Sequence, residues 1–182
     1  MEKVDTLIVG AGQAGLVMSH ELSKLGQKKH IVVERGRIAE RWRSERWDGL
    51  HFQTPNLLVG LPGYPLVHDN PDGFATAAQI ADFLEGYASF VAAPVRQGVS
   101  VTRLARTDSG GSYLLETSKG PLCACNVVIA TGPFQRAVIP RMVPRDREVL
   151  QLHASDYRRP SQLPDGGVLV IGAGASGAQI AE

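Results

Sequence analysis

Several features are scarce or missing in this sequence. The 182 residues include two cysteines and no C-x-x-C pair, which excludes a disulfide framework. The net charge of +1 gives no reason to expect a nucleic-acid or acidic-membrane partner. No apolar run reaches transmembrane length, and the first apolar segment begins at residue 4 without the layout of a signal peptide. We therefore expect a cytoplasmic globular protein with no membrane partner.

What is present begins with a βαβ pattern over residues 4–34. An apolar strand leads into the glycine-rich sequence GAGQAG at 10–15, and a helix to about residue 25 is followed by a second apolar strand. This is the G-x-G-x-x-G turn of dinucleotide sites. Gly10 permits the tight turn, Gly12 keeps side-chain atoms away from a pyrophosphate, and Gly15 lets the helix lie close to the strand.

The second strand ends at Glu34, at the spacing expected of the acidic residue that accepts the ribose hydroxyls. A carboxylate there would repel a ribose 2′-phosphate, so we expect FAD or NAD, and not NADP, at this turn. The N-terminus of the helix offers unpaired N–H groups to the phosphates. Ser19, a small residue one helical turn after Gly15, completes the pattern.

The middle of the chain alternates between irregular and regular segments. Residues 35–73 form a long stretch rich in Arg, Trp, Pro and Gly, typical of a binding segment. Thr76 and Gln79 predict a capping box that opens a helix. Short alternating strands over 95–125 predict a β-meander laid over the sheet, followed by a buried parallel strand at 126–130.

The opening motif returns near the end of the chain. A predicted strand at 168–171 leads into a second glycine turn at 172–177, and the sequence stops within the helix that should follow. We expect the N-terminal portion of a longer protein. Its predicted domains are an FAD-binding domain at 1–150, a linker at 151–166 and the start of an NADP-binding domain at 167–182.

Two glycine turns about 160 residues apart, with the motifs between them, resemble the flavin-containing monooxygenase family. The family has two dinucleotide-binding domains, and its bacterial flavoprotein branch is the most similar. The motifs that carry the resemblance are ER at 34–35, RWR at 41–43, RWDGL at 46–50, TPN at 54–56 and ATGPF at 130–134. Two features depart from the family: Ala39-Glu40 stands where glycine is usual, and of the fingerprint F-x-G-x-x-x-H-x-x-x-[YW] only His153 and Tyr157 survive, with Arg147 and Val149 at the Phe and Gly positions.

The resemblance implies an α/β fold: a Rossmann-like FAD-binding domain with a parallel sheet, helices and a β-meander, then the start of a second Rossmann-like domain. It assigns two sets of cofactor residues. Those implied for FAD are Gly10, Gly12, Gln13, Ala14, Gly15, Glu34, Arg35, Trp42, Arg43, Thr54, Ala130, Thr131 and Gly132. Those implied for NADPH are Gly172, Gly174, Ser176 and Gly177.

The chemistry implied by the resemblance belongs to the cofactor. In the family, NADPH reduces FAD, O2 adds to give a C4a-peroxyflavin, and that species oxygenates a small-molecule substrate, while the protein orients the cofactor and excludes water. Asn56 is the candidate catalytic residue, as a hydrogen-bond donor to the flavin or its peroxide, and its alternative role is that of a turn-forming Asn after Pro55. No metal site is expected, because His51 and His68 lack ligand spacing.

Other candidates also have two interpretations. Trp42 and Trp47 would line the flavin cavity or fill a core, and His153 would contact NADPH or be a satisfied linker residue. Cys123 and Cys125 form C-x-C on a strand, so they should point to opposite faces. The connector arginines are expected to meet phosphates or to form a solvated face: Arg141, Arg145, Arg158 and Arg159.

Three functions remain open at this point. The first is an FAD- and NADPH-dependent monooxygenase-like enzyme, and the second is a flavin disulfide reductase or NAD(P)H oxidase. The absence of C-x-x-C counts against a disulfide reductase. The third is a non-catalytic flavin-binding or interaction protein, with a homo-oligomer or a completing chain covering the edge of an incomplete sheet.

Overall fold

The computed structural model describes residues 1–107, 110–140 and 149–182. Its strands are β1 (Glu2–Val9), β2 (His30–Glu34), β3 (Gly60–Leu61), β4 (Tyr64–Pro65), β5 (Val95–Gln97), β6 (Val101–Arg106), β7 (Tyr113–Thr117) and β8 (Leu122–Ile129). Its helices are α1 (Gln13–Lys24), α2 (Glu40–Ser44), α3 (Ala77–Phe90) and α4 (Ala175–Ala181).

Six of the strands form one sheet in the order β5-β2-β1-β8-β7-β6. The strands β5, β2, β1 and β8 run parallel, whereas β7 and β6 continue the sheet antiparallel to their neighbours. The predicted α/β class and the predicted βαβ unit are therefore confirmed, with β1 at the centre. The short strands β3 and β4 pair separately as a hairpin within the long segment after β2.

The prediction that the meander lies over the sheet is wrong. The segments predicted separately at 122–125 and 126–130 form the single strand β8. Residues 122–124 pair with β7 on one side and with β1 on the other. Because one strand belongs to both parts, the meander extends the sheet in its own plane instead of covering a face.

Side chains on the two faces of β1 enter different cores. Ile8 packs with residues of α1, β2 and α3, among them Leu16, Val32 and Leu84. Leu7 points to the opposite face and packs with Leu115 of β7 and with other strand residues. The helix α3 is fixed at its start by the predicted capping box, in which Thr76 Oγ1 accepts from Gln79 N–H and the Gln79 side chain accepts from Thr76 N–H.

A buried hydrogen-bonded pair ties α1 to β2. His30 Nδ1 lies 2.7 Å from the carbonyl oxygen of Gln27, which can only accept, so the proton of the neutral ring is on Nδ1. His30 Nε2 therefore accepts from Ser19 Oγ, 2.8 Å away. Both side chains are buried. The small residue expected one turn after Gly15 thus anchors the helix to the strand.

The strand predicted at 168–171 does not form. Val168, Leu169 and Ile171 are 63%, 83% and 63% exposed, and no strand is assigned between β8 and α4 in the described residues. A single extended segment cannot be a stable strand without a hydrogen-bonded neighbour. The described part of the chain supplies none beside it. None of the helices in that part combines the length and the apolarity needed to cross a bilayer.

We expect Ser19→Ala to lower the free energy of unfolding by about 1–3 kcal/mol, because it leaves the buried His30 Nε2 without a donor. Chemical denaturation monitored by circular dichroism measures the change. Ser23→Ala on the exposed side of the same helix is the matched control and should stay within about 0.5 kcal/mol of the parent chain. Equal effects of the two substitutions would contradict a role for the buried pair.

Candidate functional site

The first glycine turn lies at the carboxyl end of β1. Gly10 has φ +109°, a backbone conformation that favours glycine, and a Cβ there would lie 2.5 Å from the carbonyl oxygen of Ala130. A Cβ on Gly15 would overlap the carbonyl oxygen of Gly10, whereas one on Gly12 would meet nothing within 4 Å. The tight turn predicted at Gly10 and the close helix packing predicted at Gly15 are confirmed, whereas the role of Gly12 towards a pyrophosphate stays a prediction. The space in front of Gly12 is open.

The helix that follows has an uncapped N-terminus. Gly12 is the N-cap of α1, no side chain caps it, and the first turn contains no acidic residue. The N–H groups of such a helix start are left for an external acceptor, and the helix dipole favours a negative charge there. The first turn begins with Gln13 and Ala14. An open approach at Gly12 and an uncapped helix start together fit a bound diphosphate.

The carboxylate of Glu34 lies at the opening of this turn. One of its oxygens, Oε2, accepts from Ala11 N–H at 2.9 Å, and Oε1 accepts from Gly36 N–H at 2.9 Å. Glu34 therefore joins the end of β2 to the glycine turn of β1. Arg35, the next residue, pairs with Glu45 at 3.2 Å.

The residues at the end of β8 complete this edge. Ala130 N–H donates to the carbonyl oxygen of Val9 at 2.8 Å, which carries the β1–β8 ladder up to the glycine turn. The chain then turns at Gly132, with φ +78°. The side chain of Gln135 donates to the carbonyl oxygen of Thr131. The predicted residues 130–132 thus lie directly beside Gly10.

Ala39 occupies a position that suits glycine better. Its φ is +58°, and its side chain is buried. The Ala39 N–H donates to the carbonyl oxygen of Ala11 at 3.3 Å, so this strained residue joins the start of α2 to the glycine turn. The structure gives a physical reason for the glycine that the resemblance led us to expect here. The next residue, Glu40, is held by the Arg37 guanidinium and N–H, which lower the pKa of its carboxyl to about 2.

Two cavities open between the long segment after β2 and the rest of the chain. The larger measures about 900 Å³ and the smaller about 200 Å³. Trp42, Phe52 and Thr54 line both, and Gln13 at the start of α1 lines the smaller one. The cavities therefore run from the first glycine turn towards the connector, and the structure brings Trp42 and Thr54 of the predicted site residues into their walls.

Other predicted residues lie elsewhere. The Arg43 guanidinium pairs with Asp82 at 3.0 Å and Glu85 at 2.6 Å on α3, and it lines neither cavity. Asn56 is fully buried beneath a turn, where its Nδ2 donates to the carbonyl oxygen of Asn70 at 2.8 Å. Its Oδ1 has no partner among the described residues. Asn56 also lines neither cavity, so this geometry supports the turn-forming alternative.

The second glycine turn repeats the geometry of the first. Gly172 has φ +116°, a Cβ on Gly177 would overlap the carbonyl oxygen of Gly172, and a Cβ on Gly174 would meet nothing within 4 Å. Ser176 and Gln179 line the larger cavity. The amide of Gln179 donates to the carbonyl oxygen of His51 at 3.0 Å and accepts from His51 N–H at 3.2 Å.

The remaining candidates fall into three groups. Cys123 is buried and Cys125 is exposed, but residues two apart in the strand β8 share a face, so the prediction of opposite faces is wrong. His153 lines the larger cavity, where its Nδ1 accepts from Ser155 N–H at 3.1 Å. No group of three or more His, Cys, Asp or Glu side chains that could hold a metal occurs in the described ranges.

The arginines of the connector lie in different environments. Arg158 lines the larger cavity and Arg159 pairs with Asp48 at 2.9 Å. Arg141, Arg145 and Arg147 lie outside the described residues, as do Asp108 and Ser109 within the predicted meander segment. Sequence reasoning missed Arg41, Arg46 and Arg136 as lining residues of the larger cavity. Arg41 and Arg46 belong to the motifs at 41–43 and 46–50, whereas Arg136 comes from a separate segment of the chain.

The fold and the two glycine turns define an α/β dinucleotide-binding protein. The model of the pyridine nucleotide-disulphide oxidoreductase family matches residues 7–182. The chain belongs to this family, and its similarity to flavin monooxygenase-like proteins confirms the resemblance. Its two cysteines lie at 123 and 125, so the described chain carries no C-x-x-C redox pair of the kind that the family's name suggests.

Individual relatives and solved structures agree with this family. An uncharacterized CzcO-like oxidoreductase of Geobacillus kaustophilus is 42% identical over 98% of this chain and 50% of its own length. The probable indole-3-pyruvate monooxygenase YUCCA3 of Arabidopsis thaliana is 30% identical, over 96% of this chain and 42% of its own. A double mutant of a flavin monooxygenase from Stenotrophomonas maltophilia superposes with a TM-score of 0.85 at 28% identity, covering 99% of this chain and 54% of that one. The chain thus spans about half the length of the curated relatives it matches.

The effects of backbone strain and of side-chain burial at Ala39 on the free energy of unfolding can be separated by comparing two substitutions. Ala92 follows α3, is exposed, and has φ +48°. We expect Ala92→Gly to raise the free energy of unfolding by about 1 kcal/mol, because the left-handed conformation no longer strains a Cβ.

Ala39→Gly should change the free energy of unfolding by less than Ala92→Gly does. Relief of the strain is offset there by the loss of a buried methyl group, which contributes about 0.8 kcal/mol. Thermal and urea denaturation of the two variants test this, with Ala78→Gly near the start of α3 as the control without a positive φ. Stabilisation by Ala78→Gly would contradict the explanation through strain, since glycine should lower the stability of an ordinary helix by up to about 1 kcal/mol.

Proposed function

We propose that this chain is the FAD-binding part, with the beginning of the NADPH-binding part, of a flavin-dependent monooxygenase. The observation that carries the proposal is the first glycine turn, which is open at Gly12, uncapped at the start of α1 and flanked by the Glu34 carboxylate. These features suit a diphosphate joined to a ribose. The proposed boundaries are FAD-binding 1–150, linker 151–166 and NADP-binding from 167 onwards.

Named residues would share the work of holding FAD. The N–H groups at the start of α1 would bind the diphosphate, and Glu34 would accept from the adenosine ribose. The edge at 130–132 would border the cofactor, and Trp42 and Thr54 would line the space into which its ring extends. When bound, FAD supplies hydride acceptance and the activation of O2. The cavity walls supply orientation and exclusion of bulk water.

The second glycine turn is the proposed contact with NADPH. Gly172, Gly174 and Gly177 reproduce the backbone geometry of the first turn, and Ser176 faces the larger cavity. Relatives named as monooxygenases support this function. The fold is also that of a protein whose solved structure, the OTEMO complex, contains FAD and NADP, with a TM-score of 0.70 at 20% identity. The proposed reactants are NADPH, O2 and a small-molecule substrate.

The binding of FAD by the 182-residue chain tests the first step. Titration with FAD, followed by the visible absorbance of bound flavin, should show saturable binding. Gly12→Ala should weaken that binding at least tenfold, because its methyl group enters the space left for the diphosphate. The substitution should leave folding unchanged, since the residue has an ordinary φ of −87° and its Cβ meets nothing within 4 Å.

The second glycine turn supplies the matched control. Gly174 has the corresponding conformation, with φ −77°, and is equally open, so Gly174→Ala should keep FAD binding. A colourless chain that takes up no FAD would favour the non-catalytic alternative. Binding that is unchanged in Gly12→Ala would contradict the proposed diphosphate site.

Bleaching of the bound flavin by NADPH tests the second step. We expect NADPH to reduce the flavin of the parent chain and Gly174→Ala to slow that reduction. The products then separate the enzyme classes. Oxidation of NADPH that yields only H2O2 with every substrate offered would favour the oxidase alternative over the monooxygenase.

A further inference from the structure

Arg46 is a half-buried cation in the wall of the larger cavity, and no carboxylate of the described residues pairs with it. Arg41 of α2, which lines the same cavity, pairs with Glu45. In the described part of the chain Arg46 donates only to the carbonyl oxygen of Glu45, from Nη1 at 3.0 Å. Its guanidinium carbon lies 5.1 Å from the centroid of the Trp42 ring. The guanidinium therefore retains N–H groups that have no partner among the described residues.

The charges around Arg46 are mostly of its own sign. Four arginines line the larger cavity, Arg41, Arg46, Arg136 and Arg158, against two carboxylates, Glu45 and Asp156. Burial lowers the pKa of Arg46, and the charges of Arg41 and Arg158 lower it further, with partial compensation by Glu45. A lowered pKa of a base means that the fold disfavours its charged form. A bound anion would offset this penalty.

The residues around Arg46 also indicate the shape of a ligand that would fit the cavity. Trp42, Trp47 and Phe52 line the same cavity and offer flat apolar surfaces. The indole N–H of Trp47 is buried and has no acceptor among the described residues. Planar guanidinium groups bind oxyanions with two parallel hydrogen bonds. The cavity wall thus combines a guanidinium that can bind an oxyanion with aromatic rings against which a flat ligand can pack.

We propose that Arg46, supported by Arg158, binds the oxyanion of a flat organic ligand in the larger cavity, the carboxylate of an aromatic acid being the fitting chemistry. That this acid is a substrate rests on the proposed function, whereas its binding does not. The phosphate of a dinucleotide offers the same chemistry from a second source. The experiment below distinguishes the two.

The two tryptophans of the chain both line this cavity, so their indole N–H signals in ¹H–¹⁵N NMR report ligands there. Phenylacetate and its uncharged analogue phenylacetamide are titrated into the FAD-loaded chain, and NADP⁺ and NAD⁺ form the second pair. Should the chain not load with FAD, the proposed function fails at that step. The titrations of the FAD-free chain still test Arg46.

We expect phenylacetate to bind about tenfold or more tightly than phenylacetamide, as for a charge-assisted hydrogen-bonded pair. Arg46→Gln should abolish that preference, and Arg46→Lys should keep only part of it because it lacks the planar fork. Arg103→Gln is the matched control, since Arg103 is exposed and pairs with Glu116 on the meander. Its ligand preferences should equal those of the parent chain.

The outcomes are distinct. If Arg46→Gln loses the preference for NADP⁺ over NAD⁺ but keeps the preference for phenylacetate, the oxyanion site is supported. Its anion is then the phosphate of the dinucleotide. If Arg46→Gln keeps the ligand preferences of the parent chain in both ligand pairs, the proposal is overturned. A loss of FAD affinity in this variant would also overturn it, because Arg46 would then be a residue of the FAD site. The melting temperature of Arg46→Gln should rise or stay constant because a like charge is removed. A fall together with lost binding would indicate a structural role and would also overturn it.

Discussion

The close approach of three backbone segments at the carboxyl end of β1 organises this molecule. The carbonyl group of Gly10 lies against Gly15 on one side, while its Cα faces the carbonyl oxygen of Ala130 on the other. Neither approach leaves room for a side chain, so the start of α1, the end of β1 and the end of β8 meet through backbone alone. The helix start can then point into open space instead of into packed side chains.

The remaining parts of the site extend from this junction. The Glu34 carboxylate joins β2 to it through Ala11, and Ala39 joins the start of α2 through the same residue. The long segment after β2 then folds over the junction and encloses the two cavities, with Trp42 in the walls of both. A rigid sheet edge thus carries a more irregular segment, a division typical of ligand sites in open α/β folds.

The features that could be predicted from the sequence are those that local steric and hydrogen-bonding constraints determine. Close packing and positive φ demand glycine at residues 10 and 15, and the Thr76–Gln79 box uses a local pair of hydrogen bonds. The plane of the meander was not predictable, because it depends on whether β8 pairs on both edges. The arginines of the larger cavity come from separate segments, and only the tertiary fold brings them together. The apolar run at 168–171 has the composition of a strand, but strand formation depends on a neighbour that composition does not contain.

The contact between Gln179 and His51 has a mechanical consequence. One planar amide makes both hydrogen bonds, as donor and as acceptor, so the two form and break together. A displacement of α4 would strain both bonds of this pair, while the bridge between His51 and Thr76 would still hold the backbone of residue 51. The segment after β2 and the helix that follows the second glycine turn are thus tied to each other through a single side-chain amide.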